Sequence, residues 1–421
     1  MMAPPGSLRV AHFTDTWVPR RDGVVTALET LTTAMDQLGH DSLIVVPRHH
    51  GQQRSDGLLR LPSVPCGIAQ FRLGAWPRHR HVEQVARWRP DVLHVHTPGF
   101  IGLLGVHAAR ALGLPLFLTY HTDLHAYVDA YRLPPHVLSG LLRCYARRLG
   151  VRPPRTDHSW SPKVYRHTVV DAATRLLYGS ADTVIVPTDA VLQRSRVAPT
   201  FPRLRVVPTG VALRTAPPGS RATFRRRHGI DVGDPVVLYV GRLNREKGID
   251  LLTGGFGELL RSVPNARLLL VGSAHDGRWV TKLLDRAGIT DRTVRTGQLP
   301  PADVAQAYAA SDVFAFPSRT DTQGLVVQEA ALAGLPIVLA DPCLHNTGPL
   351  AGVGMLTDDH PVAYGEMLAR LVRDPGMARS VGQAAKERAE RNSPQAYGQT
   401  MAAVYGESVA RQTLVTGLLS A

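Results

Sequence analysis

The sequence predicts two doubly wound α/β domains, each built on a parallel sheet, and three observations carry that prediction. Short apolar runs alternate with longer helical patterns almost throughout. The strand–helix series halts near the middle of the chain in a polar stretch holding Pro217 and Pro218, then begins again. The 421 residues, 44% hydrophobic and 19% charged, are too many for one ordinary core and suit two.

Taken in order, LRVAHFT (8–14) is the first strand. A polar turn with Pro19 and Gly23 leads to a helix from Val25 to Leu38, ended by Gly39. Strands follow at SLIVVP (42–47), DVLHVH (91–96), PLFLTY (115–120) and TVIVP (183–187). Between Pro77 and Trp88 a helix turns Val82, Val85 and Ala86 inward and Arg80 and Arg87 outward. The segment 149–168, rich in Pro, Arg and His, reads as an inserted excursion or loop. The domain boundary is placed at 208/209, after RLRVVPTGV (203–211) begins. The second series has strands at 236–240, 267–271, 293–296, 313–316 and 336–340, and the last ~35 residues read as helix that can cross back to the first domain.

The formal net charge of +14 and a pI near 10.2 suggest anionic partners. Among the 48 basic residues only Lys163, Lys247, Lys282 and Lys386 are lysine, which points to a GC-rich coding bias behind part of that charge. No nucleic-acid-binding motif accompanies it, so no nucleic-acid partner is expected. Cys66, Cys144 and Cys343 form no CxxC or Cys/His cluster, so a reducing compartment is expected and no disulfide frame or zinc site. The N-terminal residues lack the pattern of a signal peptide, and no run of ~18 apolar residues occurs. A cytoplasmic protein is expected. The stretch holding Arg72, Trp76, Arg78, Arg80, Arg87, Trp88 and Arg89 reads either as an anionic membrane contact at the inner face of the membrane or as an ordinary amphipathic helix.

Chemistry concentrates in two places. In YVGRLNREKGID (239–250) a strand ends, Gly241 turns without obstruction, and Arg242 and Lys247 follow. A guanidinium fork and a point charge beside a strand end suit a diphosphate, although a solvated turn is the equal alternative for this segment alone. In PSRTDTQGLVVQEAALAGLPIV (317–338), Asp321 lies in the loop after a strand and Gly324 opens a helix whose amides at Gly324 and Leu325 favour phosphate. Glu329 lies eight positions on from Asp321, roughly two turns, inside an apolar helix where an acid needs a partner; two vicinal ribose hydroxyls would supply one.

Together these motifs resemble the family 4 retaining glycosyltransferases, as do HFTDTWVPRRDGVVTALETLTTAMDQLGHDSLIVVP, PDVLHVHTP and TYHTD in the first half. The resemblance spans nearly the whole chain and is weakest at 49–80 and 149–175. It implies the GT-B fold, two Rossmann-like domains facing across a cleft. It also implies a hexose-type sugar moved from a UDP- or GDP-sugar to a hydroxyl acceptor, a small natural product or a glycolipid, with no cofactor. Residue by residue, it gives Gly23 an approach to the donor phosphates, Arg242 and Lys247 the diphosphate, Asp321 the donor sugar, and Glu329 the ribose. His121 corresponds to a histidine near the sugar's 6-position. Gln298, Gln323, Gly324 and Leu325 complete the donor-binding set.

Three positions depart from the family pattern: Asp321 for the usual Glu, Gln323 for an aromatic, and Thr209 for an Asn. With no DxD metal motif and two cations in place, the resemblance implies metal-independent front-face substitution with retention. Readings from other classes are a non-hydrolysing sugar-nucleotide epimerase and a sugar-nucleotide-binding protein with a decayed site.

Overall fold

A computed structural model describes residues 6–20, 22–49, 55–66, 72–130, 133–156, 161–194, 201, 203–274 and 276–419. The chain forms two compact units, one of residues 1–210 with 394–421 and one of 211–393.

The first unit runs β1 (Arg9–Phe13), α1 (Gly23–Gln37), β2 (Asp41–Pro47), β3 (Leu58–Leu61), β4 (Ser63–Pro65) and β5 (Arg72–Gly74). It continues with α2 (His79–Arg87), β6 (Val92–Val95), α3 (Phe100–Leu112), β7 (Leu116–Thr119), α4 (Leu124–Ala130) and α5 (Pro135–Arg148). Then come α6 (Pro162–Tyr178), β8 (Thr183–Val186), α7 (Asp189–Arg194) and β9 (Leu204–Val206). Seven strands make one parallel sheet in the order β3-β2-β1-β6-β7-β8-β9, and β4 and β5 form a separate antiparallel pair. Strands such as β6 are buried at all four positions and show no in–out alternation, because helices cover both faces.

The second unit runs α8 (Ser220–Arg227), β10 (Val236–Val240), α9 (Ile249–Leu260), β11 (Arg267–Val271), α10 (Gly277–Arg286), β12 (Thr293–Gly297) and α11 (Pro301–Ala309). It ends with β13 (Val313–Phe316), α12 (Leu325–Leu332), β14 (Ile337–Leu339), α13 (Pro342–Thr347), β15 (Met355–Leu356), α14 (Pro361–Arg373) and α15 (Pro375–Ala389). Its six parallel strands lie in the order β12-β11-β10-β13-β14-β15. The ends of β10 and β11 approach so closely that a Cβ on Gly272 would lie 1.9 Å from the Gly241 carbonyl oxygen, so Gly272 tolerates no side chain.

The last helix, α16 (Pro394–Leu419), belongs to the first unit. Tyr397, Met401 and Tyr405, spaced one turn apart, bury against Val10, Leu31, Met35 and Phe117. Full burial of side chains this large contributes roughly 1.5–3 kcal/mol each, which anchors the helix to that sheet.

Both sheets reverse their winding beside the first strand, between β1 and β6 and between β10 and β13. Ligands of open parallel sheets bind past the strand ends at such a point.

One expectation needs correction. The stretch 149–168 is not simply a loop: α6 begins at Pro162, where a first-turn proline forfeits no hydrogen bond, and residues 157–160 lie outside the described set. The tryptophans of the 72–89 stretch are half-buried. Trp76 packs edge-on against Phe100 at 5.2 Å, and Trp88 lies under the Arg9 guanidinium at 4.5 Å. Both pack against the core, while Arg78, Arg80, Arg87 and Arg89 are exposed.

Candidate active site

In the second unit the site starts where β10 ends. Its five residues are buried, and at Gly241 (φ 148°) the chain turns away from the sheet. The Arg242 carbonyl accepts a hydrogen bond from the Tyr239 hydroxyl at 2.9 Å, which pins the turn from inside. Arg242 Nη2 lies 3.5 Å from Glu246 Oε1, and Asn244 Nδ2 donates to that oxygen at 3.1 Å. A 3-10 turn over Arg245–Lys247 then delivers Lys247 Nζ to Asp321 Oδ1, 2.8 Å away in the loop after β13. Thr320 Oγ1 donates to the Glu246 carbonyl at 3.0 Å and ties the two loops a second time. Arg245 takes no part, since its guanidinium lies over the Trp279 ring at 4.6 Å.

The two carboxylates eight positions apart are in opposite electrostatic states. Burial by itself would raise the Asp321 carboxyl, but the Lys247 ammonium beside it, with Ser318 and Arg242, holds it below its ordinary value. Burial pushes Glu329 up to about 7, only partly offset by the hydrogen bond it accepts at Oε2 from the Tyr308 hydroxyl at 2.8 Å. Asp321 is therefore charged and paired, while Glu329 is half protonated near neutral pH. Gly324 (φ 70°) is the N-cap of α12 and brings no side-chain cap, and Leu325 is the first helical residue. Gln323 is buried beside it. Gln298 is exposed past the end of the edge strand β12, two strands from β10, and is the one residue of the expected donor set in this unit that stands apart.

Glu246 and Tyr308 were not foreseen as members of this site. Glu246 had a local signal, standing between Arg242 and Lys247 in REKG, and its Oε2 is buried with no hydrogen-bond partner among the described residues. Tyr308 had none, since it reaches Glu329 from another helix, 21 positions away.

In the first unit His121 follows β7. Its Nε2 lies 3.0 Å from His96 Nδ1, and His96 Nε2 lies 3.1 Å from His12 Nδ1. Beside them His94 is held by two hydroxyls at 2.6 Å each, Tyr405 on Nδ1 and Thr119 on Nε2. Burial lowers all four rings, His12 to about 3, His121 to about 4 against an opposing pull from Asp22, and the other two well below their ordinary value. All four are neutral at pH 7. Nitrogens of His12, His94 and His96 lie within 4.8 Å of one another, the only grouping with metal-ligand spacing among the described residues.

Gly23 is the first residue of α1, and the amides that follow it are occupied. Asp22 Oδ1 accepts from Val24 and Val25 at 3.2 Å each, and its Oδ2 from Thr16 Oγ1 at 2.9 Å and Arg20 Nε at 3.0 Å. The start of α3 is closed in the same way by Asp15, which accepts from the Ile101 amide at 2.9 Å, the Gly102 amide at 3.4 Å and Thr97 Oγ1 at 2.7 Å. The phosphate approach expected of Gly23 thus meets a helix start that already holds a carboxylate.

No helix among the described residues is long and apolar enough to cross a membrane. Residues 21–215 match the family described as Glycosyltransferase Family 4, and residues 220–388 match Glycosyl transferases group 1. A GDP-mannose-dependent alpha-mannosyltransferase of Mycobacterium tuberculosis is 28% identical over 376 residues, 86% of this chain and 88% of its own. An alpha-monoglucosyldiacylglycerol synthase of Streptococcus pneumoniae is 27% identical over 387 residues, 88% and 80% of the two chains. Among solved structures, the sucrose-phosphate synthase of Thermosynechococcus elongatus superposes with a TM-score of 0.69 at 21% identity, covering 96% of this chain and all of that one. These matches support a transferase and not an epimerase or a decayed binding protein. Two sheets with the same winding, cations at the switch point of the second, and family matches to both halves in order lead to one conclusion: the chain belongs to the family 4 glycosyltransferases, nucleotide-sugar-dependent enzymes of GT-B fold.

Proposed function

We propose that this enzyme transfers a hexose from a GDP- or UDP-hexose to a hydroxyl of a glycolipid, with retention and without a divalent metal. The observation that carries the donor assignment is the meeting of Arg242 and the Lys247–Asp321 pair at the β10/β13 switch, beside the glycine-capped start of α12. On this reading Arg242 and Lys247 stabilise the charge that develops on the leaving diphosphate. The first amides of α12, at Gly324 and Leu325, add a helix N-terminus, with Gln323 and Gln298 at the margin. Asp321 accepts from a hydroxyl of the sugar, and Glu329 accepts from the ribose. His121 contacts a sugar hydroxyl. The departing phosphate takes the acceptor's proton, so the step needs no separate carboxylate base.

Metal independence is supported by Arg242 and Lys247, which bring to this end of β10 the positive charge that a divalent metal would otherwise supply to the leaving group. A lipid-linked acceptor is supported by the similarity to a monoglucosyldiacylglycerol synthase and by the exposed arginines of α2 and its flanks. Incubation with labelled UDP-glucose, UDP-galactose, GDP-mannose and a bacterial lipid extract tests the reading. Label should enter the lipid phase from one donor as an α-linked product. Label confined to water-soluble acceptors would overturn the glycolipid assignment, and an inverted product would overturn retention.

A further inference from the structure

We propose that His12, acting through His96, fixes His121 as the tautomer with its proton on Nδ1, so that His121 meets its ligand as a hydrogen-bond donor and not as a base. This rests on the reading of His121 as a sugar contact.

Three neutral rings joined by two hydrogen bonds have only two consistent arrangements, because each ring carries one N–H. In one, His121 Nε2–H donates to His96 Nδ1, and His96 Nε2–H donates to His12 Nδ1. His12 must then carry its proton on Nε2. That nitrogen is buried and has no hydrogen-bond partner among the described residues, so an N–H would be stranded there. In the other arrangement His12 Nδ1–H donates to His96 Nε2, and His96 Nδ1–H donates to His121 Nε2. Only a lone pair is left unmatched on His12, and the proton of His121 moves to Nδ1. Buried N–H groups without an acceptor are rarer than under-used acceptors, so the second arrangement prevails.

None of the three rings can reverse alone, since turning one bond round leaves two protons or two lone pairs facing each other at the next. The choice made at His12 therefore reaches His121 undiluted. His94 is outside the relay, with both nitrogens held by hydroxyls, and its ring packs 4.0 Å from that of His96 and restrains it. Burial keeps the rings neutral, so the relay is no sink for the proton released in the transfer. His12 and His96 are positioning residues in this scheme.

The test is side-chain nitrogen–proton correlation spectroscopy on the full chain labelled with 15N-histidine, with the His121 signal identified by its loss in His121→Gln. The wild type should show the Nδ1–H tautomer at His121. His12→Asn keeps an N–H facing His96 and should preserve that tautomer. His12→Asp presents only acceptor oxygens, so it should reverse the relay and convert His121 to Nε2–H. With the donor and acceptor in hand, His12→Asp should lower kcat about tenfold, the effect of one hydrogen bond, and leave KM within about twofold, while His12→Asn restores most of the turnover. An Nε2–H tautomer in the wild type would overturn the proposal, even if His12→Asp failed to fold. So would a stoichiometric metal ion in the purified protein, which would make these rings ligands. If the wild type transfers no sugar from any donor, the proposed function fails, while the spectra still decide the relay.

Discussion

Each sheet sends two helices off beside its switch point, and the four helices begin in two different ways. In the first unit α1 and α3 start under aspartates of the same chain, Asp22 on the amides of Val24 and Val25, Asp15 on those of Ile101 and Gly102. In the second unit α9 and α12 start at Gly248 (φ 67°) and Gly324 (φ 70°), and neither glycine can supply a side-chain cap. The first amides of a helix carry partial positive charge and need an acceptor. Where an aspartate supplies it, an outside anion has little to gain. Where a glycine stands, the acceptor can come with the ligand. One architecture built twice thus differs in its caps: the first unit closes these helix starts with aspartates, and the second leaves them without a side-chain cap, as the proposed phosphate contact requires.

The comparison breaks most readily at the cations. Lys247→Ala and Arg242→Ala should each weaken nucleoside-diphosphate binding by roughly 1.5–3 kcal/mol, the worth of a charge-assisted contact, as read by calorimetry. Unchanged affinity in both would move the diphosphate out of the second unit. Asp321→Asn should abolish most turnover yet hold or tighten nucleoside-diphosphate affinity, because it releases Lys247. A loss of affinity there would mean that Asp321 itself touches the nucleotide.

Glu329→Gln sharpens the contrast through pH. The folded carboxyl titrates at about 7 against an ordinary value of 4.5, so folding carries a penalty that grows between those two values and is full above the higher. Glutamine carries none. Thermal melts should show the variant level with the wild type near pH 4 and more stable at pH 8, while its nucleoside-diphosphate affinity falls about tenfold, one hydrogen bond's worth. Equal melts at pH 8 would show that the carboxyl is better solvated than its surroundings imply.

Asp22→Ala should cost about 0.5–2 kcal/mol of stability, as the loss of a helix cap does, and leave nucleoside-diphosphate affinity within about twofold. Tighter binding would mean that the first unit also receives phosphate once its cap is gone. The smallest expected effect is none at all: EDTA should leave turnover unchanged, and a requirement restored by Mg²⁺ or Mn²⁺ would contradict leaving-group stabilisation by Arg242 and Lys247.

The central strands were legible because VVLYV and VFAF, buried at every position, make unbroken apolar runs. The short edge strands β3, β9 and β15 were not, since LLRL, LRV and ML are partly exposed and no longer than a turn. The helices around 149–168 were hidden by their own punctuation: Pro153 and Pro154 do interrupt the chain, but Pro162 starts a helix of 17 residues. Within the site, Arg242 and Lys247 were readable because both stand in one short segment after β10. The partners that decide their state were not. Lys247 meets Asp321 across 74 positions, and His12, His96 and His121 each look like an ordinary strand histidine until the sheet aligns them.

The 2.8 Å pair between Lys247 and Asp321 has a consequence for timing. A cation that keeps its own anion at hand is never bare in the empty enzyme, so on the proposed assignment an arriving diphosphate must displace a resident rival for the ammonium. Part of the attraction is forfeited in that exchange, and the same rival stands ready when transfer is over. With Asp321 as the proposed sugar contact, departure of the sugar would free its carboxylate to reclaim Lys247 and loosen the spent nucleotide. Asp321→Asn should therefore slow nucleoside-diphosphate dissociation in stopped-flow displacement, a kinetic trace of a carboxylate that works as both sugar contact and ejector.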